Sequence, residues 1–321
     1  MKKVSVIGAG RWGTFLAWYL ATQKNIDVLL YGRNESSTFK NLLNTRKNEY
    51  LSLPPNVILT SNIKDIIAMD YIIISIDAQN LKYLVRELNE YNLGDKIFIL
   101  AMKGIDVESK KRLTEVITEN TTQPTKTAVL LGPGHVQDYT KGIPNCAVID
   151  SNDEEAKEKA VQLMGSSLMR IYYGTDLIGN EIGGAYKNVI GIGAGILDGM
   201  GWGSLKGALM SRSVVEVGRF IEKCGGKPIS ACGLSFLGDF EATLFSRHSN
   251  NRMFGELFTK GKTMGEKNCE GYYTLKAVYE MGNSFGLDLP ITKTIFEIVY
   301  NKQPIKESLN KLFERELKKE F

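Results

Sequence analysis

Four groups of residues in this chain have types and spacings that could do chemistry. One is Lys187, alone in the apolar, glycine-rich run EIGGAYKNVIGIGAGILDG, residues 181–199. An ammonium is strongly hydrated, so its place there needs a reason. Either it serves a ligand, or it snorkels its head out of a buried helix. Another is Lys103, in Ala101-Met102-Lys103-Gly104-Ile105, with the turn Leu131-Gly132-Pro133-Gly134-His135-Val136, whose backbone amides could face an anion. Further on, Gly233-Leu234-Ser235-Phe236-Leu237-Gly238-Asp239 places a carboxylate in a glycine-punctuated stretch, followed by Thr243 and by Ser249-Asn250-Asn251-Arg252. A carboxylate beside Lys187 would orient it and hold its charge; Asp239 could equally cap the helix FEATLF, and the two roles are compatible. At the start of the chain, Gly8-Ala9-Gly10-Arg11-Trp12-Gly13 is a G-x-G-x-x-G.

That last motif has the context it needs. It follows the strand Lys3–Ile7 and opens the helix TFLAWYLATQ. Glycines there allow a tight turn, a close approach of backbone to a pyrophosphate, and packing of helix on strand. The phosphates would sit at the helix N-terminus. The other reading is a tight turn without a ligand. Some 20 residues on, the second strand ends in Tyr31-Gly32-Arg33-Asn34. An NAD-specific site has Asp or Glu here for the ribose hydroxyl, whereas Arg33 can contact a 2′-phosphate or stack on adenine. The cofactor is then NADP or NAD, tilted toward NADP, unless Arg33 is a solvated surface residue.

The elements that position these groups follow from hydropathy. KVSVIG, DVLLYG, YIIISI, KIFILAM, TAVLLG and NCAVID are short β-branched runs, and the first five lead into polar or turn-like segments. Such alternation predicts a parallel sheet covered on both faces. MRIYYGTD adds a last strand near residue 170. After about residue 176 helical periodicity takes over in SLKGALMSRSVVEVGRFIEKC, GYYTLKAVYEMGNSFG and the charged tail KESLNKLFERELKKEF, with breaks at GGKP and LDLP. The expectation is an α/β fold: a Rossmann-type doubly wound parallel sheet over 1–178, then an all-α substrate-binding domain over 179–321. Ligands of such a sheet bind at the carboxyl ends of its strands, which is where Lys103 and the Gly132–Gly134 turn fall. Read as a helix, positions 187, 191, 194 and 198 share a face. Eight glycines lie between Gly183 and Gly203. Each costs about 1 kcal/mol in a helix interior relative to alanine, so the run admits either a ligand or another helix close to its backbone.

Composition bounds the function. The 321 residues are 43% hydrophobic and 24% charged, which is ordinary for globular chains of one large or two medium domains. A net charge of +4 is too weak to argue for nucleic acid. With two histidines a histidine-rich metal site is excluded, and no metal is expected. Cys146, Cys224, Cys232 and Cys269 form no C-x-x-C pair and read as reduced thiols of a cytoplasmic protein. The apolar run after Met1-Lys2-Lys3 is too short for a signal peptide, and the one around Lys187 is too short and glycine-rich to span a bilayer.

Taken together, the motifs resemble the bacterial NAD(P)-dependent glycerol-3-phosphate dehydrogenases. The likeness runs in order through GAGRWGTFLA, Arg33, AMKGI, GPGHV, EIGGAYKNVIGI, GLSFLGDF, SNNRMFG, the CEG of residues 269–271, and LPIT. It implies reversible reduction of dihydroxyacetone phosphate to sn-glycerol 3-phosphate, feeding glycerophospholipid synthesis, by a homodimer. Lys187, with Asn188 beside it, matches the catalytic lysine, which would polarise the carbonyl and serve as general acid in reduction and general base in oxidation. Lys103 matches a lysine touching both substrate and cofactor. Asp239 and Thr243 match residues on the substrate side, with Gly132, Gly134, Ser249, Asn250 and Asn251. The implied cofactor contacts are Gly8, Gly10, Arg11, Trp12, Gly13, Arg33, Val136 and Glu270, the last near the nicotinamide ribose.

The likeness breaks in a few places. A serine or threonine of the family is Gly134 here, and a phenylalanine is His135. Where the family reads S-R-N-R, this chain reads Ser249-Asn250-Asn251-Arg252, so a guanidinium that grips phosphate is replaced by Asn250. The loop Gly201-Trp202-Gly203-Ser204 is one residue short. Arg247 or Arg252 could supply the missing charge. Alternatively the chain is a paralogue that reduces another small anionic keto compound. A reading from another class, a catalytically silent nucleotide-binding sensor, is opposed by retention of Lys187 and Asp239.

Overall fold

The computed structural model describes residues 2–23, 25–262, 264–266, 269–317 and 319–320. Its first half alternates as the runs predict. In chain order it has β1 (Lys2–Ile7), α1 (Arg11–Ala21), β2 (Ile26–Tyr31), α2 (Ser37–Thr45), β3 (Val57–Thr60), α3 (Ile63–Ile67), β4 (Tyr71–Ile74) and α4 (Leu81–Leu88). Then come β5 (Ile97–Leu100), α5 (Leu113–Asn120), β6 (Lys126–Leu131), α6 (Val136–Tyr139), β7 (Asn145–Asp150), α7 (Glu154–Met164) and β8 (Met169–Tyr173). The strands form one sheet in the order β3-β2-β1-β4-β5-β6-β7-β8. In register, Val4 faces Val28 on one side and Tyr71 on the other. The order reverses between β1 and β4, and a ligand crevice opens at such a reversal.

The sheet departs from expectation twice. It is not wholly parallel: β7 runs antiparallel to β6. The connection between them carries only the four-residue α6, too little helix to bring the chain back across the sheet for a parallel pairing. In addition β3, VILT, gave no strand signal, because it is four residues long with Ile58 exposed at the sheet edge. Period-2 alternation sorts the other strands onto two cores. Val4, Val6, Ile73 and Ile99 pack with Phe15 and Leu16 of α1 on one face, and Ile72, Ile74, Phe98 and Leu100 pack with Leu81 and Val85 of α4 on the other.

The second half is helical among the described residues: α8 (Leu177–Gly199), α9 (Lys206–Lys223), α10 (Asn250–Thr259), α11 (Glu270–Ser284), α12 (Pro290–Val299) and α13 (Ile305–Phe313). The tail helix is shorter than its charge pattern suggested, ending at Phe313; Lys318 and Phe321 lie outside the described residues. α8 is 23 residues long and buried on nearly every side, as a helix apolar all round must be. Asp176 caps it, accepting from the Gly179 N–H at 3.1 Å. Asp150 at the end of β7 binds the Asp176 N–H and the Asn180 amide, both at 2.9 Å, which fixes α8 to the sheet.

The crowded glycines of α8 serve another helix. A Cβ on Gly195 would stand 1.9 Å from the Arg252 carbonyl oxygen, and one on Gly255 of α10 would stand 2.1 Å from that of Ile192. α8 and α10 therefore cross backbone against backbone.

Candidate active site

The cleft lies where the strand order reverses. It has a volume of about 660 Å³ and walls from both halves of the chain. On the sheet side the first βα turn supplies Gly8 with φ +113°, where a Cβ would lie 2.1 Å from the Ser75 carbonyl oxygen. Only glycine fits, and the backbone is left open to a ligand. Gly10 is the residue before the first turn of α1 and has nothing within 4 Å of a notional Cβ. That is the space a pyrophosphate needs at a helix N-terminus. Trp12 stacks toward Phe15 at 4.9 Å, and the Arg11 guanidinium lies 5.6 Å over the Tyr50 ring. Arg33, at the far end, is exposed on the cleft wall.

α8 carries Lys187 to the opposite wall. Its Nζ is 2.7 Å from Asp239 Oδ2 and donates to Thr243 Oγ1 at 2.8 Å. Lys103 reaches the same Asp239 oxygen from the end of β5 and donates to the Gly132 carbonyl at 2.9 Å. Two ammonium groups thus share one carboxylate whose side chain is only 2% exposed. Burial pushes Lys187 down from 10.5 to about 8; Asp239 opposes the fall and Lys103 adds to it. An ammonium poised near neutrality can give and take a proton in turn. Asp239 is not a helix cap. It ends the short turn Leu237–Asp239 without a side-chain capping bond, ahead of one π-helical turn, Glu241–Phe245.

The start of α10 completes this wall. Ser249 caps it through Arg252 N–H at 3.3 Å. The Asn251 amide donates to Asn188 Oδ1 at 2.9 Å and accepts from Gly271 N–H at 2.9 Å, so α8, α10 and α11 are locked side by side. Asn250 faces the cleft. Neither arginine considered as a substitute does. Arg252 is held by Asp198 at 2.7 Å, Glu256 at 3.0 Å and the Ser246 carbonyl at 3.0 Å. Arg247 is exposed and off the wall. Beside Gly134 the ring of Tyr139 occupies the space a side chain would take, so no hydroxyl can stand there.

Glu270 opens α11 and bridges the halves: its Oε1 accepts from the Ala78 N–H at 2.8 Å. Its other oxygen is buried with no hydrogen-bond partner among the described residues. Burial raises this carboxyl from 4.5 to about 7. A buried oxygen left open on the wall of a dinucleotide-sized cleft fits a hydroxyl donor such as a ribose.

Apart from Arg247 and Arg252, every residue expected to catalyse or to bind lines this cleft except Gly13, which packs behind it on the Gly8 carbonyl. The structure adds Ser75 and Asp77 at the end of β4, and Ser36 and Thr38 at the start of α2. Burial raises the Asp77 carboxyl, with Arg33 opposing. The signal for Asp77 was the end of YIIISID, a strand end adjacent to β1. His248 also lines the cleft, 6.1 Å ring to ring from His135.

A doubly wound sheet with an open glycine turn, facing a near-neutral lysine held by a buried carboxylate, defines a pyridine-nucleotide-dependent dehydrogenase. The particular family is equally plain. The family described as NAD-dependent glycerol-3-phosphate dehydrogenase matches over both of its parts, the N-terminal one at residues 3–157 and the C-terminal one at 176–310. A glycerol-3-phosphate dehydrogenase of Pelodictyon phaeoclathratiforme is 32% identical over 99% of both chains, and one of Chlorobium phaeobacteroides is 34% identical over 99% of both. The crystal structure of glycerol-3-phosphate dehydrogenase from Coxiella burnetii shares the fold, with a TM-score of 0.90, 24% identity and 98% of this chain covered. This chain belongs to the NAD-dependent glycerol-3-phosphate dehydrogenase family.

Proposed function

We propose that the protein reduces dihydroxyacetone phosphate to sn-glycerol 3-phosphate with NADPH or NADH, reversibly, and so supplies the backbone of glycerophospholipids. The observation that carries the reading is the Lys187–Asp239–Lys103 group opposite the Gly8–Gly13 turn. The dinucleotide would lie over that turn, with Gly10 and Arg11 at its phosphates, Trp12 and Val136 beside it, and Arg33 at the adenosine end. Glu270 would take a ribose hydroxyl on its open oxygen. When bound, the nicotinamide supplies the hydride. The chain's own part is to hold the carbonyl oxygen at Lys187 Nζ and deliver a proton to it. Asp239 keeps that ammonium charged in a dry site, where its field acts at full strength. Lys103 neutralises Asp239 and faces both substrate and cofactor. Asn188, fixed by Asn251, holds the remaining oxygen side of the substrate, with Thr243 and Gly132 around it.

The division into a dinucleotide domain over 1–178 and a substrate domain over 179–321 belongs to the same reading. Its support is that the sheet cores and the helical core of Ile190, Val217, Phe220, Leu275 and Ile298 are separate clusters. Among the described residues no helix is long and apolar enough to cross a membrane. A cytoplasmic homodimer, with no nucleic acid or metal involved, is the form we infer.

One observation favours a second reading. Asn250 stands uncharged at the cleft while Arg252 is spent on Asp198 and Glu256, which would suit another small anionic keto substrate. Oxidation of NADPH and NADH by the purified protein with dihydroxyacetone phosphate, beside an Asn250→Arg variant, decides between them. Turnover by the native chain with a KM below about 1 mM supports the first. Turnover by the variant alone means that the natural substrate differs. If neither reacts while NADPH binds tightly, the silent sensor becomes the better account.

A further inference from the structure

We propose that His135 and His248, meeting across the cleft, grip the phosphate of the substrate in place of a guanidinium. The inference rests on the reading above that the substrate is a phosphorylated ketone. These two are the chain's whole complement of histidine. One comes from the turn between β6 and α6, the other from the segment ahead of α10, so they belong to opposite halves of the molecule. Their rings nevertheless stand 6.1 Å apart, edge toward face at 69°. Both open on the same cleft as Lys187, Gly134 and Asn250.

Charge accounting shows what the imidazoles add. A phosphate monoester is close to a dianion at neutral pH. Lys103 and Lys187 share Asp239, so that trio offers one net positive charge. Arg252 is held by two carboxylates, and Lys206 by Asp198 at 2.6 Å and the Leu244 carbonyl at 2.9 Å. Arg11 lies over the Tyr50 ring and donates to the His248 carbonyl at 3.5 Å, so its charge stands beside the pair. The first turn of the ten-residue α10 adds backbone N–H groups beside Asn250 and Asn251, with the positive end of the helix dipole. The histidines complete the set, since each can present an N–H and a charge to one tetrahedral anion between the halves.

Arg11, Lys103, Lys187 and Asp239 line the same cleft as the pair, and Arg11 donates to the His248 carbonyl at 3.5 Å. A dianion held by both imidazoles favours a proton on each, so both take up protons on binding.

Two histidines give two imidazole signals, so NMR can follow each through pH in the full-length protein. The sample holds NADPH with saturating sn-glycerol 3-phosphate, a pair that cannot react, and the control holds NADPH with glycerol. The expected result is a rise of about one unit in both titration midpoints with the phosphate ester, and none with glycerol. In parallel, His135→Gln and His248→Gln should each lower kcat/KM for dihydroxyacetone phosphate roughly tenfold, shrinking its preference over unphosphorylated dihydroxyacetone, while kcat changes little. Unmoved midpoints in a protein that does reduce dihydroxyacetone phosphate would overturn the inference and leave the activity standing. Absence of that reduction would instead sink the substrate reading. Titration with inorganic phosphate then decides the anion site: a rise at both signals sustains it, and no rise removes it.

Discussion

Replacing Asp239 by asparagine tests the acid–base reading most sharply. The carboxylate is buried and holds two ammonium groups, with Lys187 Nζ at 2.7 Å. An amide keeps the shape and removes the charge. One such pair, at about 4 Å and an effective dielectric constant of about 20, is worth about 4 kcal/mol. At about 1.4 kcal/mol per unit, that is about 3 units of pKa. The Lys187 ammonium, near 8 with its partner, should then lose its proton near pH 5. Reduction needs the protonated lysine, so the native rate falls as pH rises through 8. In the variant that fall moves down to about pH 5, and at pH 7 roughly one molecule in a hundred carries the proton. Steady-state kcat for reduction at pH 7 should drop about a hundredfold and recover toward pH 5, within the range general acid catalysis supplies. NADPH binding, followed by fluorescence, should be kept. Urea unfolding at pH 7 should show a loss of about 3 kcal/mol, the usual result of breaking a buried pair from one side. A variant whose rate still falls near pH 8, with kcat within a few-fold of native, would refute the assignment of Lys187 as the acid governed by Asp239.

Three further perturbations probe the rest of the site. Arg33→Ala should weaken NADPH about tenfold and leave NADH nearly unchanged, as measured by calorimetry; equal losses would place Arg33 on adenine rather than on a 2′-phosphate. Gly195→Ala drives a methyl to 1.9 Å from the Arg252 carbonyl, so thermal unfolding should show a loss of about 3 kcal/mol or more, and a native-like Tm would contradict the crossing of α8 and α10. Glu270→Gln concerns an acid raised from 4.5 to about 7. Folding favours its protonated form, so its contribution is whole below pH 4.5 and is lost as pH rises through 7. Without cofactor, the variant should match the parent near pH 4 and exceed it by about 3 kcal/mol at pH 8 in urea unfolding, and a pH-independent difference would show that the carboxyl is not held neutral.

What could be read in advance follows from how locally each feature is encoded. The glycine turn and the strand–helix alternation are local patterns, and the structure has them where the sequence places them. Lys187 was conspicuous because a lone cation breaks an apolar run. The edge strand β3 was invisible, since four residues half open to solvent need no hydrophobic run. The reversal of β7 depends on the connection after β6 and on which neighbour has a free edge, and neither is written in the strand itself. The glycines of α8 left ligand and helix as equal alternatives, and only the three-dimensional crossing with α10 separates them. Asp239 was legible both as a partner of Lys187 and as a cap for FEATLF, and the structure keeps the first role and not the second. That Lys103 shares the same carboxylate could not be read, because it comes from a distant point of the chain.

The fate of Arg252 links packing to specificity. Asp198 lies on the helix face that begins with Lys187, three turns on, and takes both Arg252 at 2.7 Å and Lys206 at 2.6 Å. Glu256, one turn along α10, takes Arg252 from the other side at 3.0 Å. The guanidinium thereby fastens α10 to α8 at the place where Gly195 and Gly255 let the backbones touch. An arginine so enclosed swings to an anion only by giving up Asp198, Glu256 and the Ser246 carbonyl together, although Lys206 would stay on Asp198 and Lys260 on Glu256. Its charge is therefore structural, and the uncharged Asn250 leaves the cleft to recognise its anion with helix N–H groups and with whatever reaches across from the sheet. This arrangement makes substrate grip depend on the two halves being correctly spaced, whereas the proton donor, fixed within α8 and its own carboxylate, does not. Substitutions that loosen the α8–α10 crossing should consequently raise KM before they lower kcat.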